Sequence, residues 1–379
     1  MKIIHFTLGK VNPDSSNGIN RVIEGLAKYG NKEKKINVKV VCFKANQKEK
    51  RKDYARDGFQ VIVFNSFLSV MGYFIKNKNN IDIVHMHNVW SVYNVFLSQI
   101  FLYISIPYII TIHAGLMDDR VKKSNYFAKL LFQFLFQKKH LDRANGLHAI
   151  AKEEVKKIKE FTSNQNIFLI PNGIDIESIK LPKYKHRNKK ILLGYLGRLS
   201  KEKNIKGIIK ALSLLDEDTL KKIVLVIIGP KNNNYAVECI KLAKDLGLNK
   251  QIIFSDKVNS KDKWSKLSEL DLYIQTSFSE GSSLTILEAL YSKLPAIISR
   301  SCNVSYLNDK RFLKMVEPEP IDIARGIYES VEDIQNFKKT GEEAHLFIKN
   351  YYNWGFLLGL LKLEYEKIIQ KYSSRKFKK

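Results

Sequence analysis

Glu280 and Glu288 stand with seven residues between them in Glu280-Gly281-Ser282-Ser283-Leu284-Thr285-Ile286-Leu287-Glu288. A glutamate, a Gly/Ser turn and an apolar run read as a loop entering a helix. Ser283 is the expected cap, and the backbone N–H groups of the first turn then point at whatever lies above them, which makes an anion site. Glu280 precedes the helix and Glu288 lies about a turn and a half inside it. Two carboxylates beside a phosphate cradle suit a sugar nucleotide, because carboxylates accept hydrogen bonds from the vicinal hydroxyls of ribose and hexose. The same pattern also occurs on ordinary surface helices, so the pair gains meaning only with further residues.

Those residues come from elsewhere in the chain. Arg198 and Lys203 follow a strand ending in Gly197, where an arginine can clamp a diphosphate in bidentate fashion. Gly18, in Asn17-Gly18-Ile19-Asn20-Arg21, opens a helix after the first strand and lets backbone approach a phosphate or acceptor. His113 ends a strand before Ala114-Gly115 and is the candidate for polar contact with a bound sugar. His85 and His87 read as structural or lining residues, and no Cys/His/carboxylate spacing supports a metal. Asp216-Glu217-Asp218 reads as a solvated turn, so no metal is expected and Arg198, Lys203 and the helix start balance the diphosphate charge.

The elements that must position these groups alternate. Strand patterns at 3–8, 38–43, 61–64, 81–87, 108–113, 146–150 and 167–170 are interleaved with helical ones, and the alternation resets at 191–196, 223–228, 252–254, 272–275, 296–299 and 313–316. That pattern predicts α/β architecture with two doubly wound, parallel-sheet domains whose ligand sits in the cleft they face. The expected divisions are an N-terminal domain at 1–180, a polar basic linker at 181–190, a C-terminal domain at 191–352, and a final helix at 353–379 that can pack on either domain and ends in a basic tail.

Composition narrows the partners. The chain is 45% hydrophobic and 27% charged, in the range of a globular protein, but its formal net charge of +26 calls for an anionic partner. Cys42, Cys239 and Cys302 fit packing residues in a reducing cytoplasm. The N-terminus opens directly as a strand, without a signal-peptide pattern. The apolar region 92–112 is broken by Asn94, Gln99, Ser105 and Pro107 and reads as a helix then a strand, not a membrane span. The segment 121–140 sets aromatic and leucine residues among lysines; a helix on an anionic membrane and a core helix with basic ends both fit it.

Taken together, these residues resemble the retaining glycosyltransferases of family 4, which have the two-Rossmann GT-B fold. The resemblance rests on Gly18, His113, Pro171-Asn172-Gly173-Ile174-Asp175, Gly197-Arg198 with Lys203, and the paired Glu280 and Glu288. His87-Asn88-Val89-Trp90-Ser91 and Gly146-Leu147-His148-Ala149, leading to Lys152-Glu153-Glu154, resemble the branch that builds bacterial surface polysaccharides. It implies that Arg198 and Lys203 bind the donor diphosphate and that Glu288 binds the ribose. Glu280 and the backbone of Gly281, Ser282, Ser283 and Leu284, leading into Thr285, would contact the donor sugar and distal phosphate, with His113 near the reacting carbon. It further implies a nucleoside diphosphate sugar as substrate, no cofactor, and transfer with retention. The acceptor would be a lipid-linked glycan at the cytoplasmic face of a bacterial membrane, with the enzyme peripheral to it. Asn17, Ala114, Ser282-Ser283 and Ser255-Asp256 depart from the family pattern and leave the donor sugar and the choice of uridine or guanosine open. The rival readings are a nucleotide-sugar epimerase of the same fold, for which no acid/base pair stands out, a nucleic-acid-binding or membrane-surface binding protein on charge alone, with no nucleic-acid motif beside the charge, and a noncatalytic scaffold of the same fold, against which the pair of glutamates counts.

Overall fold

The computed structural model of the chain describes residues 1–9, 18–117, 131–182, 190–259, 262–307 and 310–376. Asn17, the 121–130 part of the apolar-basic segment, positions 183–189 of the expected linker and the end of the basic tail at 377–379 lie outside the described residues. The chain divides into two compact units, Met1–Gly173 with Trp354–Lys379, and Ile174–Asn353.

The first unit is an eight-stranded sheet of β1 (Lys2–Leu8), β2 (Asn37–Phe43), β3 (Arg51–Arg56), β4 (Phe59–Phe64), β5 (Ile83–His87), β6 (Tyr108–Thr111), β7 (Gly146–Ala149) and β8 (Ile167–Leu169), in the order β3-β4-β2-β1-β5-β6-β7-β8. Every neighbouring pair is parallel except β3 with β4, an edge hairpin that departs from the all-parallel expectation. Its turn is Asp57-Gly58, with φ of 44° and 85°, the left-handed pair that a two-residue hairpin requires. The charged sequence of β3 suits an exposed edge.

Strand alternation sorts the sheet into two faces. Ile4, Phe6, Val84, Met86, Tyr108, Ile110, Leu147 and Ala149 enter one apolar core. The other face carries His5, His85, His87, Thr111 and His148, with His5 opposite His85, His87 opposite Thr111 and Thr111 opposite His148. The Trp354–Lys376 helix belongs to this unit and buries Leu357, Leu358, Leu361, Tyr365 and Ile368. Each such side chain contributes roughly 1.5–3 kcal/mol. Trp354 lies against the Gly18–Gly30 helix at Gly25, where any Cβ would overlap the indole.

The second unit is a wholly parallel six-stranded sheet of β9 (Ile191–Leu196), β10 (Ile223–Ile228), β11 (Ile252–Ser255), β12 (Leu272–Gln275), β13 (Ala296–Ser299) and β14 (Leu313–Val316), in the order β11-β10-β9-β12-β13-β14. Strand order reverses between β9 and β12, which is where an open α/β sheet leaves a crevice at its carboxyl ends. The unit begins at Ile174, ahead of the boundary read from the sequence. Ile174 donates its N–H to the Tyr352 carbonyl at 2.8 Å and bridges to Asn353, so entry and exit strands are tied together there.

Candidate functional site

The loops that follow β9 and β12 meet at that crevice. Lys203, in the turn Lys201–Lys203, forms an ion pair with the buried carboxylate of Glu280. The same oxygen, Glu280 Oε1, accepts Gln275 Nε2–H and Ser277 Oγ–H, each at 2.8 Å. Three donors therefore converge on one carboxylate oxygen. The Glu280 backbone is fixed as well. Its N–H donates to the Ser301 carbonyl at 3.0 Å, and its carbonyl accepts Asn303 Nδ2–H at 2.5 Å.

Gln275 is the hub, and the sequence reading passed over it. While its Nε2 serves Glu280, its Oε1 accepts from Ser283 Oγ at 3.0 Å, Thr285 Oγ1 at 2.8 Å and Tyr273 Oη at 3.0 Å. A lone amide closing the apolar strand β12 was the signal. Burial pushes the Tyr273 hydroxyl well above its ordinary value, so it remains a protonated donor. It likewise pushes the Cys302 thiol up to about 11, and Sγ donates to the Gln275 carbonyl at 3.2 Å instead of acting as a nucleophile.

This network corrects one expectation. Ser283 sits at the cap position of the Leu284–Tyr291 helix with φ −77° and ψ 109°, but its hydroxyl is engaged by Gln275 and Thr285 and caps no backbone N–H. The first-turn N–H groups thus have no side-chain cap, which strengthens their character as an anion site. Ser282 Oγ lies 3.2 Å from Tyr306 Oη, and Gly281 precedes it. Glu288 is buried inside the helix, and Lys263 Nζ, a partner the sequence did not suggest, donates to its Oε1 at 2.8 Å. Arg198 is exposed at the end of β9, and its backbone carbonyl takes the Tyr195 hydroxyl at 2.8 Å. A Cβ at Gly197 would come within 2.7 Å of that hydroxyl. The acidic triplet is also more than a solvated turn: Asp216 Oδ1 accepts Thr219 N–H at 2.9 Å and caps the Glu217–Lys222 helix.

In the first unit, Gly18 is the exposed first residue of the Gly18–Gly30 helix. His113 is buried in a strained turn. Asn88, Trp90, His113 and Ala114, at the ends of β5 and β6, all have φ between 53° and 73°, a cluster characteristic of functional loops. Glu154 grips that turn by accepting Ala114 N–H with one oxygen and Ile150 N–H with the other, the latter at 2.7 Å, while Trp90 Nε1–H donates to the Gly115 carbonyl at 2.6 Å.

Behind His113 the histidine face forms two hydrogen-bonded chains. His113 Nε2 lies 2.9 Å from His87 Nδ1, and His87 Nε2 lies 2.9 Å from His5 Nδ1. The second chain has a fixed direction. The Ile170 carbonyl can only accept, so His148 Nε2 donates to it at 2.8 Å. His148 Nδ1 must then accept from Thr111 Oγ1 at 2.7 Å, Thr111 accepts from His85 Nε2 at 2.5 Å, and the Tyr365 hydroxyl donates to His85 Nδ1 at 2.6 Å. Burial holds these rings neutral, lowering His5 to about 3 and His148 to about 4, with His85 and His87 also well below the usual range. His5, His85 and His87 bring nitrogens within 4.8 Å of one another. Yet His85 and His87 are stacked at 4.5 Å and 20°, which sends their in-plane lone pairs along separate planes instead of to one point.

Comparison with known proteins agrees with this architecture. Residues 16–178 match the family described as Glycosyltransferase Family 4 and residues 177–354 match Glycosyl transferases group 1. An uncharacterized glycosyltransferase of Methanocaldococcus jannaschii is 30% identical over 245 residues, 62% of this chain and 60% of that protein. The alpha-monoglucosyldiacylglycerol synthase of Streptococcus pneumoniae is 29% identical over 177 residues, 43% of this chain and 39% of that one. The chain thus spans less than two thirds of the length of these curated relatives. Among solved structures, Anabaena HepE in complex with UDP and glucose superposes with a TM-score of 0.74 at 16% identity, covering 97% of this chain and 100% of that one. The fold is GT-B, and the chain belongs to the group 1, family 4 glycosyltransferases.

Proposed function

We propose that the protein is a retaining glycosyltransferase that moves a hexose-type sugar from a nucleoside diphosphate sugar, a UDP-sugar, to a growing lipid-linked glycan of a bacterial surface polysaccharide. The observation that carries this reading is the second unit's constellation of Lys203, Glu280 and Gln275 beside the uncapped start of the Leu284–Tyr291 helix, with Glu288 buried behind it. The helix start and the cations Arg198 and Lys203 take the diphosphate, Glu288 the ribose, and Glu280 the sugar hydroxyls. Glu280 Oε1 is saturated by protein donors, and Oε2 is the acceptor offered to substrate. For His113 the proposed role is polar contact with a bound sugar.

The acceptor hydroxyl attacks the anomeric carbon on the face from which the diphosphate leaves. As the bond from carbon to phosphate oxygen breaks, that oxygen takes the hydroxyl proton, and the new glycosidic bond keeps its configuration. Catalysis is then positioning plus stabilisation of the leaving diphosphate, with no metal and no protein nucleophile. The UDP found with HepE and the lipid product named for the pneumococcal relative support the donor and acceptor classes. The chain's charge of +26 supports an anionic membrane, at its cytoplasmic face, as the place of work.

Thermal unfolding with UDP, GDP and their sugar conjugates tests the reading. A nucleotide at ~100 times its dissociation constant adds about 2.7 kcal/mol, roughly 5–10 °C for a unit of this size. UDP or a UDP-sugar should stabilise the wild type and lose most of that effect in Glu288→Ala. Stabilisation by none of them sinks the proposal.

A further inference from the structure

The helices Phe67–Lys76 and Val92–Tyr103 flank the first unit's sheet on its apolar-core side. They lie side by side, since Phe67 meets Tyr93 and Phe74 meets Phe101, each pair with ring centroids 4.8 Å apart. Their inward faces are ordinary core: Val70 and Phe74 on one, Leu97 and Phe101 on the other. Their outward faces are not those of a water-facing helix. Leu68, Gly72 and Ile75 form one exposed stripe, and Val92, Phe96, Gln99 and Tyr103 another, at the spacing of one helix face. Leu68 is 75% exposed, Phe96 57% and Tyr103 86%. In a chain that is 27% charged, the two helices together carry a single charge, Lys76.

The rim of this patch is cationic. Arg143 Nη1 donates to Gln99 Oε1 at 3.0 Å, which lays the guanidinium along the Val92 to Tyr103 stripe. Lys138 and Lys139, exposed in the Lys138–Asp142 helix, precede it, and Leu135 and Phe136 beside them are exposed as well. The only acid in these elements is Asp142, already paired with Lys138 at 3.0 Å.

We infer that this two-helix face docks the protein on an anionic lipid bilayer, with Leu68, Ile75, Val92, Phe96 and Tyr103 entering the headgroup boundary and Lys76, Lys138, Lys139 and Arg143 meeting the lipid charges. This deepens, and rests on, the proposed membrane-bound acceptor, and it assigns the contact to helices to which the sequence reading gave no membrane role. A contiguous apolar surface with cations prevailing at its border fits an interfacial anchor. A second copy of the chain fits worse, because it would bring two cationic rims together.

Co-sedimentation of the full chain with phosphatidylglycerol/phosphatidylcholine vesicles, against phosphatidylcholine alone, tests it. The wild type should bind the anionic vesicles, more weakly as salt rises, and ignore the neutral ones. Phe96→Ser with Tyr103→Ser should weaken binding roughly tenfold or more. Lys138→Gln with Lys139→Gln should weaken it and flatten its salt dependence. Both variants change exposed side chains, and an unaltered melting temperature reports that they fold. The UDP-induced thermal shift, read on the same samples, should be equal in all three proteins; its absence from all three would strike the donor reading and leave this surface standing. Equal vesicle binding by wild type and both variants overturns the inference. So does concentration-dependent dimerisation, abolished by Phe96→Ser with Tyr103→Ser, without vesicle binding.

Discussion

Lys203 and Glu280 are each assigned to substrate, yet in the free protein they hold one another, and that arrangement sets a sign that can be measured. Changing Glu280 to Gln keeps the shape and one acceptor for Gln275 and Ser277 but leaves the Lys203 ammonium without its counter-charge. Breaking a fully buried pair costs about 3–5 kcal/mol. The two side chains retain 15% and 10% exposure, so screening reduces this to about 2–3 kcal/mol, or a fall in melting temperature of roughly 4–12 °C for the second unit. Lys203→Met should cost less, since Glu280 keeps two neutral donors, and the double variant should recover much of the Glu280→Gln loss. Calorimetry of the four proteins closes the cycle. The same carboxylate competes with any diphosphate for Lys203, so Glu280→Gln should bind UDP alone more tightly while losing its preference for UDP-sugar over UDP. Additive single and double effects, or weaker UDP binding by Glu280→Gln, would refute the assignment of Lys203 as a cation shared between Glu280 and the donor.

Two further outcomes follow from the histidines of the first unit. His5, His85, His87, His140 and His148 are held neutral by burial below their unfolded values, so the unfolded chain binds more protons below about pH 6.5 and native stability is lost as pH falls toward 4. Each contributes on the order of 1 kcal/mol per pH unit, and calorimetry at pH 7.5 and 5 should find the first unit melting much earlier at the lower pH while the second changes little. His140 stacks on Tyr108 at 6.0 Å with neither ring nitrogen hydrogen-bonded among the described residues, so His140→Phe should stabilise the unit by about 1–3 kcal/mol in urea unfolding; a loss of stability would show that the ring has an unseen polar partner.

What the sequence disclosed depended on how local the cause was. Apolar β-branched runs such as Ile223–Ile228 announced their strands, and the spacing of Glu280 and Glu288 announced a loop and helix, because both are short-range patterns. The hairpin edge was missed although Asp57-Gly58 signals it, since Arg51–Arg56 is too charged to read as a strand. The cap at Ser283 failed for a tertiary reason: Gln275 offers its hydroxyl an acceptor that the local sequence does not contain. Lys263 met Glu288, and His148 joined His85 through Thr111, by way of sheet order and helix placement, which no local spacing encodes.

The return of the Trp354–Lys376 helix has a consequence for how the molecule is made. Tyr365 reaches its partner His85 across 280 residues, and Trp354 fills the notch at Gly25. A ribosome delivers the first sheet long before the helix that completes it, and the whole second unit emerges in between. During that interval the histidine face lacks its last hydrogen-bond donor and the notch stands open, so the first unit can reach its final stability only after the second has had time to fold. Ordering by synthesis would thus be inverted, with the later-made unit finished first. Released chains truncated before Trp354 should remain protease-sensitive in the first unit and protected in the second.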